Sequence, residues 1–283
     1  MHGAEPSFVT ARDGCRIAVY AAGNPGGTPC LFIHGFALDH SVWVHQFADP
    51  ELLSRCRLLA VDLRGHGHSC KSGLPEDYAN GETWASDLAA VLEAKALVRP
   101  VLVAWSFGGR VVNDYLRHYG QAGLAGINYV AAASVSDTDV ILPAHELLQR
   151  LCREDLSGEE RKQAMGDCIC RSFGLEPGTP EFRRLVAVLA AMPADTMKYF
   201  RERPLDYDAL LAGLEIPVLA THGAGDSMFA SAMSERLAAR VKNGRVSVYP
   251  GAGHAPFYEQ PQRFNRELLE FVNRCMVPDS HKP

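Results

Sequence analysis

The sequence has no run of eighteen or more apolar residues, so no transmembrane helix is expected. It also has no large excess of either charge. The 28 Lys and Arg against 33 Asp and Glu leave a formal net charge of −5 and an isoelectric point near 6.1. That balance gives no field suited to nucleic acid or an anionic membrane, and neither is expected as a partner. The opening Met1-His2-Gly3-Ala4-Glu5-Pro6 has no basic stretch followed by an apolar one, so no secretory leader is read there. Zinc-finger spacing is missing too, because Cys168 and Cys170 form C-x-C with no partnering Cys or His pair. A chain of 283 residues does not depend on a disulfide framework for its stability. Cys15, Cys30 and Cys56 open apolar runs and read as small buried hydrophobes. Reduced thiols in a cytoplasmic protein, with no metal and no cofactor, are the expectation. There is no internal repeat and no low-complexity tract. With 47% hydrophobic and 22% charged residues, collagen-like, coiled-coil and disordered readings fall away.

What is present is an alternation of short apolar runs with longer amphipathic stretches, the pattern of a mostly parallel sheet covered by helices. The runs are Arg16 to Ala21, Cys30 to Ile33, Leu58 to Val61, Val101 to Ala104, Ile127 to Ala132, Val218 to Thr221 and Val246 to Tyr249. A further strand near Phe8 to Ala11 is expected to pair with the first of these through the Asp13-Gly14 turn. Helical spacing marks 82–96, 107–119, 229–241 and 261–275. From 137 to 208 the alternation stops. Helical patterns at 143–155, 158–172, 180–191 and 194–202 follow one another, with breaks at Gly174, Pro177-Gly178 and Pro193. We therefore expect a core of residues 1–136 and 209–283, with an all-helical lid over 137–208 at one end of the sheet. Open sheets bind ligands at their strand carboxyl ends, which favours a lid over plain packing helices.

The run Val101-Leu102-Val103-Ala104 leads into Trp105-Ser106-Phe107-Gly108-Gly109 and then a helical pattern. A strand that turns sharply into a helix presents its turn residue at the tip, and small neighbours such as Ala104 and Gly108 are needed to avoid a clash there. Ser106 is the expected nucleophile. Phe32-Ile33-His34-Gly35-Phe36 closes another strand where an oxyanion loop belongs. The backbone N–H groups of Phe36 and Phe107 are the candidate oxyanion donors. Asp226 follows a strand through His222-Gly223-Ala224-Gly225, and His254 lies in Tyr249-Pro250-Gly251-Ala252-Gly253 before the last helix.

The order Ser, Asp, His at successive strand ends resembles the α/β-hydrolase superfamily over essentially the whole chain. Asp62-Leu63-Arg64-Gly65-His66-Gly67-His68-Ser69 is similar to that superfamily's loop after the fourth strand. The chain looks closest to the esterase and non-haem chloroperoxidase-like branch. Gly253-His254-Ala255-Pro256-Phe257, with Trp105 before the serine, is also similar to pimeloyl-carrier-protein methyl ester esterases. The resemblance implies an eight-stranded, mostly parallel α/β-hydrolase sheet. It also implies Ser106 as nucleophile, His254 as base, Asp226 as its acid partner, and Phe36 and Phe107 as oxyanion donors. Ala37 departs from the proline that commonly follows the His-Gly-aromatic turn in perhydrolases, which argues against peroxide chemistry. Haloalkane dehalogenases and epoxide hydrolases of this fold use an aspartate nucleophile, and Ser106 argues against both.

Other residues have rival readings. His34 reads as a support for the oxyanion loop, and His66 and His68 as parts of a turn rather than metal ligands. Asp139 is the rival triad acid. Trp105, Phe107, Phe36, Met228 and Phe229 are expected at the pocket, with Met192, Met197, Phe200 and Phe173 as lid candidates. Lid arginines offer a carrier-protein docking face, but interleaved Glu146, Glu154, Asp155, Glu159 and Glu160 read instead as a solvated surface. The expected function is a serine hydrolase that cleaves carboxylic esters of small to medium apolar acyl or aryl groups through an acyl-enzyme. A specialised thioester, lactone or carbon–carbon bond hydrolase, and a ligand receptor on the same fold, are the alternatives.

Overall fold

The central apolar runs become strands enclosed on both faces, so Leu31, Phe32, Leu102, Val103 and Ile127 have no accessible surface. In a computed structural model of the chain, which describes residues 5–132, 134–201 and 206–277, these strands join into one eight-stranded sheet. The strands are β1 (Ser7–Thr10), β2 (Arg16–Gly23), β3 (Thr28–Ile33), β4 (Cys56–Val61), β5 (Val101–Trp105), β6 (Gly126–Val130), β7 (Val218–Gly223) and β8 (Gly244–Tyr249). Their order is β1-β2-β4-β3-β5-β6-β7-β8. The β1–β2 and β2–β4 pairs are antiparallel and all others are parallel.

The helices of the first half are α1 (Pro50–Arg55), α2 (Glu76–Ala79), α3 (Gly81–Ala94) and α4 (Phe107–Tyr119). Between β6 and β7 come α5 (Glu146–Leu151), α6 (Gly158–Phe173), α7 (Pro180–Ala190), α8 (Ala194–Arg201) and α9 (Asp208–Ala212). The last three are α10 (Ala232–Arg240), α11 (Pro256–Glu259) and α12 (Pro261–Met276). Caps explain several boundaries. Ser157 and Glu160 form a reciprocal capping box at the start of α6, and Gly174 ends that helix in the left-handed conformation. No helix among the described residues is long and apolar enough to cross a membrane.

Parallel register brings the functional loops to one edge. Ile33 lies opposite Ala104, Trp105 opposite Val130, and Gly223 opposite Tyr249. The chain leaves the sheet just beyond each of these positions, toward Gly35, Ser106, Asp226 and His254 respectively.

Two sequence expectations need correction. The helix expected over 229–241 begins only at Ala232, because the Phe229 backbone is taken by Asp226 and by a bridge to Ile141. The cysteines are also not all free, since Cys15 and Cys70 form a disulfide with their Cα atoms 5.5 Å apart. Neither residue's place in the sequence signals that meeting, which depends on the turn before β2 lying against the loop after β4.

Candidate active site

Ser106 sits between β5 and α4 with φ 51° and ψ −116°, a left-handed conformation that a serine adopts only under constraint. Its N–H bonds to Val130 O at 2.9 Å, and its carbonyl accepts from Gly109 N–H at 3.0 Å. The turn is tight enough that a side chain on Gly108 would begin 2.6 Å from Ile33 O. The strained tip is thus held by packing from both neighbouring strands.

The β3 loop lies directly against this tip. A side chain on Gly35 would start 3.2 Å from the Ser106 Cβ. Two buried histidines, His34 and His66, stand behind that loop. His34 Nε2 accepts from Leu63 N–H at 3.0 Å while its Nδ1 donates to Gly35 O at 2.8 Å. His66 Nε2 accepts from Ala37 N–H at 3.2 Å and its Nδ1 faces Arg64 O at 2.8 Å. His68 is mostly exposed and its Nδ1 meets the Tyr20 hydroxyl at 2.5 Å. Phe36 and Phe107 face each other edge-on with centroids 6.4 Å apart, and Phe107 is the first residue of α4, at the helix's positive end.

Asp226 and His254 are brought together by the close approach of two loops. A side chain on Gly223 would collide with the Gly253 carbonyl, so only glycine lets the end of β7 pack beneath the His254 loop. His254 Nδ1 then donates to Asp226 Oδ2 at 2.7 Å. Asp226 Oδ1 accepts from Met228 N–H at 2.8 Å and from Phe229 N–H at 3.2 Å. Burial would push the Asp226 carboxyl up, but the charge and hydrogen bonds of His254 and His222 outweigh it and hold it well below the ordinary carboxylate range. The rival, Asp139, is exposed and pairs through both oxygens with Arg236 at 2.7 Å.

Sequence reading left His222 without a role. It is fully buried, its Nδ1 meets Ser234 Oγ at 2.8 Å, and its Nε2 lies 3.1 Å from both Phe229 O and Asp226 Oδ2. Because Nε2 faces only acceptors, it carries a hydrogen and donates to the same carboxylate as His254. The only sequence signal was its place four residues before Asp226.

Ser106 and His254 line one cavity of about 20 Å³, room for about one water molecule. Phe36, Leu38, Trp105 and Met228 complete its core side. The helical side is Leu148 of α5, Cys168, Ile169 and Ser172 of α6, and Leu189 of α7. This differs from the expected lid set. Met192 and Met197 are buried but do not line the cavity, and Phe173 packs edge-on against Trp105 with centroids 5.3 Å apart. The side chain of Phe200 lies outside the described residues. Phe229 touches the site through its ring, 5.7 Å from that of His254, rather than through the cavity. A far larger groove of about 740 Å³ runs along β1, α3 and α4 and includes none of these residues.

Comparison with known proteins agrees with this fold. The family model described as "Alpha/beta hydrolase family" matches residues 30–267. A solved structure from Burkholderia cenocepacia, provisionally assigned as an aryl esterase, is 35% identical with a TM-score of 0.87, covering 96% of this chain and 99% of that one. The non-heme haloperoxidase of Rhodococcus erythropolis is 28% identical over 94% of this chain and 98% of its own length. The pimeloyl-[acyl-carrier protein] methyl ester esterase of Edwardsiella ictaluri is 26% identical over 88% of this chain and 94% of its own.

Proposed function

This chain belongs to the α/β hydrolase family and is a hydrolase of the esterase type, and on that footing we propose that it is a serine esterase using Ser106, His254 and Asp226. The observation that carries the proposal is the strained Ser106 turn sharing a cavity with His254, whose Nδ1 is engaged by buried Asp226.

A serine hydroxyl is a weak nucleophile until a base takes its proton during attack. His254 supplies that base through Nε2, and Asp226 holds the ring in the tautomer that leaves Nε2 open to accept. As Ser106 Oγ attacks the ester carbonyl, the oxyanion forms beside the N–H groups of Phe36 and Phe107. The imidazolium then protonates the leaving alkoxide or phenoxide, leaving an acyl-enzyme. Water, deprotonated by His254, releases the acid and restores Ser106. The apolar lining of the cavity supports small acyl groups and aryl esters over sugars or charged substrates.

The test is release of nitrophenol from esters of increasing acyl length by wild type and Ser106→Ala. Turnover should fall by roughly four to six orders of magnitude in the variant, with its thermal unfolding unchanged. Equal hydrolysis by the two proteins would sink the proposal.

A further inference from the structure

Glu259 ends α11, and its half-buried carboxylate turns back over the loop that carries His254. The Gly253 N–H donates to Oε2 at 2.8 Å and to Oε1 at 3.0 Å, and the Ala255 N–H donates to Oε1 at 3.1 Å. The residues on both sides of His254 are therefore tied to one carboxylate. The His254 carbonyl is held separately, by Trp105 Nε1 at 2.9 Å. The same carboxylate lies beside the end of α6, with Oε2 3.3 Å from where a side chain on Gly174 would begin.

The electrostatic setting is specific. Burial pushes the Glu259 carboxyl up; the two peptide N–H groups and His254 draw it down, Asp226 pushes it up, and the net is a rise. The ionisable groups acting on it are thus His254 and Asp226. From α6, this loop meets Gly174 and the Arg171 carbonyl, 3.7 Å from where a Gly253 side chain would start. Gln260, next in the chain, is neutral and donates to Pro250 O at 2.7 Å.

Resting on the esterase reading above, we infer that Glu259 is a positioning residue for His254. It clamps the peptide groups on either side, and its negative charge favours the imidazolium formed as Ser106 loses its proton. No atom of Glu259 reaches the substrate in this scheme, and its effect passes through His254 alone.

The experiment is Glu259→Gln, which keeps the volume and one acceptor oxygen but removes the charge, with Glu259→Asp as the charge-retaining control. Nitrophenyl acetate hydrolysis is followed across the pH range, alongside the rate at which a fluorophosphonate labels Ser106. Glu259→Gln should lower kcat by roughly tenfold and leave KM within about twofold. The acid limb of kcat/KM should move to lower pH by roughly half a unit, because the imidazolium has lost a stabilising charge. Glu259→Asp should return the limb toward the wild-type position. An unchanged kcat and limb overturns the inference. So does a fall in kcat with the limb unmoved, which marks a purely structural support. If wild-type protein is labelled but turns over no ester, the esterase reading fails, and the labelling rates still decide the role of Glu259. Slower labelling of Glu259→Gln with its acid limb moved to lower pH upholds that role; equal labelling, or slower labelling with the limb unmoved, refutes it. Absence of both labelling and turnover in wild type removes both proposals.

Discussion

Asp226 Oδ2 is shared by two imidazoles, with His254 Nδ1 at 2.7 Å and His222 Nε2 at 3.1 Å. Only His254 reaches the cavity that contains Ser106. His222 is locked from behind by Ser234 and cannot rotate away without leaving a buried carboxylate short of a donor.

Replacing His222 with Phe removes that donor, and we expect kcat to fall roughly tenfold to a hundredfold, the effect of losing one hydrogen bond to a charged group. His222→Gln, which can still donate, should recover part of the loss. Steady-state kinetics with a nitrophenyl ester checks both, and equal rates for Phe and wild type would remove His222 from the site.

The Cys15–Cys70 bridge spans 55 residues of sequence. Constraining the unfolded chain over such a loop contributes about 2–4 kcal/mol. The two segments are also laced by Cys70 N–H to Arg16 O at 2.9 Å and Ala18 N–H to Ser69 Oγ at 2.8 Å. Cys15→Ser should therefore lower the urea midpoint while sparing turnover at room temperature. Thiol titration of the denatured, unreduced protein should find six thiols, rising to eight after reduction. Eight before reduction would refute the bridge.

Leu189 closes the helical side of a cavity with only about 20 Å³ of room. Leu189→Ala should raise the ratio of kcat/KM for hexanoyl over acetyl esters by roughly tenfold, as expected when a hydrophobic pocket is deepened. A buried Leu→Ala change also costs stability, about 2–5 kcal/mol. A ratio measured on one protein sample cancels any loss of folded fraction. A ratio unchanged from wild type would place the acyl group elsewhere.

Asp62 is fully buried and accepts from His40 N–H at 2.9 Å, His40 Nδ1 at 2.8 Å and His68 N–H at 2.8 Å. Burial pushes its carboxyl up, but the hydrogen bond and charge of His40 outweigh it and hold the group at about 2, against an ordinary 3.8. A carboxyl lower in the folded than in the unfolded state binds fewer protons when folded. Its stabilisation, about 2 kcal/mol, is thus complete above roughly pH 4 and lost as pH falls toward 2. Asp62→Asn should flatten the acid side of the stability curve in that window. Denaturation midpoints measured across pH test it, and a curve as steep as wild type would assign the acid transition to other carboxylates.

The strands and the site were unequally legible. Each apolar run expected as a strand lies within a strand to within a residue or two at its ends, and for the central strands the reason is that a sheet enclosed on both faces admits mostly apolar side chains. Ser106 and His254 were legible because a strained turn and a glycine-rich loop need specific small neighbours in the chain. His222 and Glu259 were not. His222 reaches a carboxylate four residues on and Glu259 reaches peptide groups four and six residues back, in each case around a turn whose course no periodic sequence pattern encodes. The helical wall of the cavity was misread for a related reason. Periodicity identifies the apolar face of α6 or α7 but not how the helix is rotated over the serine, so Leu148, Ile169 and Leu189 line the site where Met192 and Met197 were expected.

By itself, then, the sequence determined the alternating architecture, the sharp turn at Ser106 and the order of the three polar residues, since each depends on local sterics and on which side chains water rejects. Only the tertiary structure decided that Asp226 rather than Asp139 meets His254, that a second imidazole shares its oxygen, and that Cys15 lies against Cys70. The first and third depend on segments far apart in the chain, whose distances sheet order and loop packing set, and the second on how the short turn from His222 to Asp226 folds.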